Sequence, residues 1–177
     1  MTDLSQRLQI YQGDITQMGV DAIVNAANPT LLGGGGVDGA IHAAAGPELL
    51  EECRNLHGCQ VGEAKLTAGY RLPAPYVIHT VGPIWQGGTH GEADRLKSCY
   101  LHALEVATEK KLSTIAFPAI STGVYGYPPT EAAKIAVNVI SEYLLCHPYP
   151  NKVYLVGFRP EQSNLLQKAL DTYVQSE

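Results

Sequence analysis

Cysteine, charge and long apolar runs are all scarce in this chain of 177 residues. The four cysteines, Cys53, Cys59, Cys99 and Cys146, are scattered and show no CxxC spacing. That excludes a disulfide scaffold and gives no metal-binding set, so no metal is expected. Reduced thiols and a cytoplasmic home are expected instead. Charged residues make up 16% of the chain, below the average of about 25%. No apolar run approaches the roughly 18 residues that span a membrane. Met1 to Arg7 is polar and lacks the apolar stretch of a signal peptide. Twelve basic residues stand against 17 acidic ones, a net charge of −5, which excludes strong electrostatic binding of long nucleic acid. No Lys or Arg occurs between Arg7 and Arg54, or between Lys111 and Lys134. Any phosphate bound by those stretches must be held by backbone N–H groups and helix N-termini, not by cationic side chains.

What is present is an ordinary globular composition, 45% apolar. At about 150 residues per domain the length predicts one domain over 1–177, large enough to build a core without staples. Apolar runs bounded by turn residues predict strands at Leu8–Gln12, Ala22–Asn25, Ala64–Thr67, Tyr76–Val81, Thr114–Pro118 and Val153–Phe158. Several are continuous and rich in Val and Ile, as in strands buried on both faces. Helical stripes or signals fall at Asp38–Ala45, Pro47–Leu56, Ala93–Lys111, Pro129–Cys146 and Glu161–Val174. The alternation predicts an α/β fold with helices on both faces of a mostly parallel sheet. Ligands of such sheets bind beyond the carboxyl ends of the strands, so the loops after Asn25, Val81 and Pro118 are expected to lie together.

Two loops stand out. The first runs Asn25-Ala-Ala-Asn28-Pro-Thr-Leu-Leu-Gly33-Gly34-Gly35-Gly36-Val37-Asp38. Four consecutive glycines carry a large entropic cost, and they sit between a buried strand and a helix start. Either the loop is a flexible surface turn, or backbone must approach a ligand closely there. Gly34-x-Gly36-x-x-Gly39 matches a dinucleotide fingerprint formally. The preceding strand ends about eight residues too early, and no acidic residue closes a second strand. A P-loop is absent as well. Asp38 reads as an N-cap, and Asn25 and Asn28 as turn formers, when taken singly. Together they set two carboxamides, suited to ribose hydroxyls, and one carboxylate, suited to an attacking water, around a phosphate-sized cradle.

The second loop is Pro118-Ala-Ile-Ser121-Thr122-Gly123-Val124-Tyr125-Gly126-Tyr127-Pro128, between an apolar strand and a helix. It can present N–H groups to a second phosphate. Ser121 lacks the G-x-S-x-G elbow of a nucleophile and has no suitably placed His after it. Asp14, after the first strand, reads as a turn or cap residue. Phe158, closing the last strand, reads as core or as a stacking face for a base. His42 and His79 read as hydrogen-bonded structural histidines.

These segments together are recognisable. The chain resembles the macrodomain family, and more closely its MacroD-type branch of ADP-ribose hydrolases and O-acetyl-ADP-ribose deacetylases. The likeness covers about Leu8 to Val174. It is carried by Gln12-Gly-Asp14-Ile-Thr16, Val24-Asn-Ala-Ala-Asn28-Pro, the glycine run through His42 to Gly46-Pro, His79-Thr-Val-Gly-Pro83 and Ser121-Thr-Gly-Val-Tyr-Gly126-Tyr-Pro.

The resemblance implies a three-layer α/β/α sandwich around a central mixed, mostly parallel sheet. It implies that Asp14 accepts the adenine amino group, with Ile15 nearby, and that Phe158 packs on the base. The Ser121–Gly126 loop (Ser121, Thr122, Gly123, Val124, Tyr125, Gly126) and Val37 would wrap the diphosphate. Asn28, which the resemblance counts with Asp38 as catalytic, and Gly33, Gly34, Gly35 and Gly36 would hold the distal ribose, with Tyr125 over it. Asp38 would position or deprotonate a water that attacks an ADP-ribose ester, on O-acetyl-ADP-ribose or on a mono-ADP-ribosylated acidic side chain. The alternatives are a reader that binds ADP-ribose without turnover, and a phosphatase acting on ADP-ribose 1″-phosphate. No cofactor is implied, the expected partners are ADP-ribose, its esters and mono-ADP-ribosylated proteins, and a monomer is expected. The segment Asn55–Val61 is shorter than in close relatives and is expected to lie away from the glycine loop. The glycines are followed by Val37-Asp38-Gly39 and not by paired glutamates, which speaks against cleavage within poly-ADP-ribose chains.

Overall fold

A computed structural model describes residues 4–176 of the chain. Helix α1 (Leu4–Arg7) leads into strand β1 (Leu8–Gln12), a single 3-10 turn (Ile15–Gln17) and strand β2 (Ala22–Ala27). Helices α2 (Gly36–Ala45) and α3 (Pro47–Arg54) follow, then β3 (Ala64–Ala68), β4 (Tyr76–Val81) and α4 (Glu92–Glu109). Strand β5 (Thr114–Phe117), α5 (Pro129–Cys146), β6 (Lys152–Gly157) and α6 (Pro160–Gln175) complete the order.

The six strands form one sheet in the order β1-β6-β5-β2-β4-β3. All neighbours are parallel except β3, which runs antiparallel to β4 at the edge. The sheet is therefore mixed and mostly parallel, and helices cover both sides. Alternation along the central strands shows how the layers are set. Ala22 and Val24 of β2, with Ile115 and Phe117 of β5, join the core under α4, α5 and α6. Ile23, Ala27 and Ala116 point the other way, into the core under α2 and α3. Side chains of a strand alternate between faces, so a strand buried on both faces must be apolar throughout.

The short α1 carries no periodic signal of its own. It is held by Arg7, whose guanidinium donates to the carbonyls of Leu144, His147, Pro150 and Asn151. These include the end of α5, where the last carbonyls have no partner within the helix. Strand β2 runs two residues beyond the expected Asn25, to Ala27. Helix α2 starts at Gly36, with Gly35 as its N-cap. Asp38 is thus the third residue of the helix and does not cap it, which corrects the N-cap reading. Among the described residues no helix is long and apolar enough to cross a membrane.

Candidate active site

The sheet order sets the loops that matter side by side. β1, β6, β5 and β2 are consecutive neighbours, so their carboxyl ends form a row about 14 Å long at the usual spacing between strands. At one end of the row stand Asp14, after β1, and Phe158, after β6. The two strand ends are tied by a bond from Gly13 N to the Gly157 carbonyl, 3.0 Å. Asp14 caps the 3-10 turn: Oδ1 accepts from the Thr16 amide at 2.9 Å and its hydroxyl at 2.7 Å. The cap reading is correct, and it leaves Oδ2 with no hydrogen bond to the described residues. Ile15 is buried beneath it. Phe158 is neither core nor part of the strand. It sits one residue past β6 and is 67% exposed, an apolar ring face beside an exposed carboxylate.

The loop after β5 occupies the middle of the row. Ser121 is buried in a left-handed conformation, φ 67°, and its hydroxyl donates to the Pro83 carbonyl at 2.8 Å. It is engaged in holding the loop, as its lack of an elbow suggested. Thr122 donates to Ala119 O, Tyr127 N to Ser121 O and Gly126 N to Gly123 O. The N–H groups of Gly123, Val124 and Tyr125 donate to no acceptor among the described residues. Val124 is 98% exposed. Trp85 N donates to the Tyr125 carbonyl at 2.8 Å, and the Trp85 and Tyr127 rings meet at 4.7 Å. The loops after β4 and β5 are therefore joined, as expected.

The third part lies after β2. Asn28 Nδ2 donates to the Gly33 carbonyl at 2.8 Å, and Asn28 Oδ1 accepts from the Thr30 amide at 3.0 Å. Asn28 is thus a turn former and also the brace of the glycine loop. Gly34 packs against the start of α2: a β-carbon at Gly39 would lie 2.5 Å from the Gly34 carbonyl oxygen. A β-carbon at Gly34 would lie 3.1 Å from Asp38 Oδ2 and 3.3 Å from Asn28 Nδ2. Asp38 and Asn28 therefore converge on the glycine loop. The first N–H groups of α2, from Gly36 and Val37, have no acceptor within the helix, and they supply a positive end there. Two backbone donor clusters in a cation-poor edge form a cradle for an anion.

Asp38 is buried, 4% exposed. Its Oδ1 accepts from Asn25 Nδ2 at 2.8 Å, and His42 Nε2 stands 3.4 Å away. Its Oδ2 has no hydrogen-bond partner among the described residues. Asn25 does not form a turn. It lies inside β2, fully buried, and its amide nitrogen also meets His79 Nδ1 at 3.1 Å. That amide nitrogen is engaged inward and is not presented to a ligand, which corrects the expectation of two ribose-facing carboxamides. His79 is fully buried as well. Burial, with His42 nearby, pushes its pKa down to about 3, so the ring is neutral. Burial, with Glu52 and Asp38 adding, pushes the Cys53 thiol up to about 11, which leaves no thiolate beside the site at neutral pH.

The sequence marks His42 and His79 as structural histidines but does not show that His42 meets Asp38 and His79 meets Asn25. The first contact has a local signal, because His42 lies four residues on in a helix and so shares a face with Asp38. The second has none, because the place of His79 beside Asn25 comes from the pairing of β2 with β4. The segment 55–61 also differs from expectation. It reaches the turn that leads to the glycine loop, where Cys59 N donates to the Pro29 carbonyl at 3.0 Å.

A family profile described as Macro domain matches residues 24–136, and this chain belongs to the Macro domain family. The chain is 60% identical over 164 residues to a Macro domain-containing protein of Methanosarcina mazei, covering 93% of this chain and 88% of that one. It is 55% identical over 171 residues to a Citrobacter rodentium protein named O-acetyl-ADP-ribose deacetylase, covering 94% and 97%. Among solved structures it is similar to an Oceanobacillus iheyensis macrodomain mutant with ADPR. That match has a TM-score of 0.93 at 44% identity, covering 98% of this chain and 97% of that one.

Proposed function

We propose that this chain binds ADP-ribose along the β1–β6–β5–β2 edge and hydrolyses esters carried on its distal ribose. The substrates are O-acetyl-ADP-ribose and mono-ADP-ribose on acidic side chains. The observation that carries the reading is the state of Asp38. One carboxylate oxygen is tied down by Asn25, and the other lies against the glycine loop with no partner among the described residues. A relative named O-acetyl-ADP-ribose deacetylase and a similar structure with ADPR support the same reading.

In this reading adenine lies at the β1–β6 end. Asp14 Oδ2 accepts from its amino group, the Ile15 backbone lies beside it, and the Phe158 ring packs on its face. The free N–H groups of the 121–126 loop and of Val37 bind the diphosphate. Because these donors are held by the fold, no side chain has to be ordered on binding. Asn28 and Gly33–Gly36 hold the distal ribose, and Tyr125 covers it. Asp38 Oδ2 positions a water and accepts its proton as the oxygen attacks the acyl carbon. The bond between that carbon and the ribose oxygen then breaks. The ribose oxygen takes up a proton, and the products are free acid and ADP-ribose. Backbone donors near the reacting centre stabilise the charge that develops during attack.

The test is hydrolysis of O-acetyl-ADP-ribose with separation of products, for wild type and Asp38→Ala, alongside calorimetric binding of ADP-ribose. Turnover by wild type, lost in Asp38→Ala while binding is kept, is the expected result. Binding without turnover by wild type makes the chain a reader and overturns the hydrolase reading. Activity retained in Asp38→Ala removes Asp38 from the chemistry.

A further inference from the structure

We infer that His79 is a positioning residue for Asp38, acting through Asn25. The inference rests on the reading of Asp38 given above and extends it to a buried circuit with a defined direction. Asn25 and His79 are register partners on β2 and β4, so the pairing of the two strands places their side chains next to each other on the α2 side of the sheet. Asn25 Nδ2 lies 2.8 Å from Asp38 Oδ1 and 3.1 Å from His79 Nδ1. An amide nitrogen carries two hydrogens and no acceptor site, so His79 Nδ1 must accept. The proton of the neutral ring then sits on Nε2, which lies 2.9 Å from Thr67 Oγ1. Thr67 can accept there because its own hydroxyl donates to the Ala68 carbonyl at 3.1 Å.

The chain of donors therefore runs one way, from His79 Nε2 to Thr67 and from Asn25 to both His79 and Asp38. The Asp38 carboxylate, which can only accept, fixes the direction. Were Asn25 flipped, its oxygen would face the Asp38 carboxylate in a buried site whichever nitrogen of His79 held the proton, and the His79 lone pair as well with the proton on Nε2. Were the ring proton on Nδ1, it would collide with the Asn25 amide hydrogens. The Nε2–H tautomer of His79 thus backs the flip of Asn25 that holds Asp38 Oδ1. That hold leaves Oδ2 turned to the glycine loop. A bland polar core would not need this directionality.

Two replacements of His79 separate positioning from simple core filling. Asn at this position puts an acceptor where Nδ1 stands and lacks the reach to Thr67. Gln puts a donor where Nε2 stands and loses the acceptor facing Asn25. Both are polar, neutral and close in size. The expected outcome is that His79→Gln lowers kcat for O-acetyl-ADP-ribose by about 10²-fold, the scale of a misplaced catalytic group. KM and ADP-ribose affinity should stay within about 2-fold, and His79→Asn should recover most of kcat.

Thr67→Val supplies an independent arm far from the substrate. It removes the acceptor for Nε2–H and is expected to lower kcat, with Thr67→Ser restoring it. Equal kcat losses in His79→Gln and His79→Asn, or unchanged kcat in both, overturn the positioning role. If neither His79 variant folds, the Thr67 pair decides, and equal activity of Thr67→Val and Thr67→Ser overturns it. Asp38→Ala run in parallel keeps the two claims apart. If it retains turnover, the reading of Asp38 fails. If it loses turnover while His79→Gln does not, this inference alone fails.

Discussion

Gly82 and Ser121 are packed so closely that a β-carbon on Gly82 would lie 2.1 Å from Ser121 Oγ and 2.7 Å from Ile120 Cγ2. The absent side chain is what lets the loop after β5 lean on the loop after β4. Gly82→Ala is therefore expected to push the 121–126 loop outward. Overpacking of this kind costs about 1–3 kcal/mol. The larger effect should fall on the loop N–H groups proposed to bind the diphosphate. The measurement is ADP-ribose affinity by calorimetry beside the thermal midpoint. Unchanged affinity would show that the loop does not hold the ligand.

Gly39 sets two effects against each other. In a helix interior Ala is better than Gly by about 0.8–1.0 kcal/mol. Here a β-carbon would lie 2.5 Å from the Gly34 carbonyl oxygen, which is backbone and cannot swing away. The clash should win at the site: Gly39→Ala is expected to keep the fold and lose most turnover, because Gly34 must leave its place beside Asp38 and Asn28. Steady-state kinetics with a denaturation curve would check both halves.

Asp14 and Phe158 lie at the far end of the row from Asp38, so they should contribute to binding equally in ground and transition states. Loss of such uniform binding raises KM without changing kcat. Asp14→Ala and Phe158→Ala are each expected to raise KM roughly 10-fold, the value of about 1.4 kcal/mol, and to leave kcat near that of wild type. A fall in kcat at saturation would contradict the assignment of adenine to this end.

Two buried groups give stability the same dependence on acid. His79 has its pKa lowered from 6.5 to about 3. Below about 6.5 the unfolded chain takes a proton that the native ring refuses, so stability falls as pH drops toward 3. Glu92 starts from 4.5. Burial pushes it up, but the backbone N–H groups of Gln86, Gly88, Glu92 and His90 outweigh that and hold it at about 2. Its contribution is complete above 4.5 and is lost as pH falls toward 2. Denaturant midpoints measured from pH 7 to 4 should fall throughout. His79→Asn should flatten the part above 4.5, and Glu92→Gln the part below. A midpoint independent of pH between 6.5 and 4.5 would refute the buried neutral His79.

The strands and helices were largely legible because each side chain pattern has a local cause. β1 and β4 fall where the apolar runs begin and end, and α5 where Pro129 opens a helical stripe. β2 was cut short because Asn25 is polar, and a lone polar residue ends an apolar run. The strand continues because His79 and Asp38 satisfy the amide nitrogen of Asn25 from outside the strand. The place of Asp38 in its helix is not legible either. A carboxylate at a helix start favours either the cap or the first turn, and the helix starts at Gly36, with Gly34 packed on Gly39.

The sequence by itself determined the chemistry available: two loops of small residues in stretches without lysine or arginine, and one carboxylate beside four glycines. Those facts follow from composition and order along the chain, and they leave backbone N–H groups as the donors that an anion at these loops would meet. The tertiary structure decided which groups meet. Strand order put Asp14, the 121–126 loop and Asp38 in one row, and register put His79 against Asn25. These are contacts between residues far apart in the chain, formed because parallel strands must lie side by side to satisfy their backbone hydrogen bonds. No local pattern in the chain encodes them.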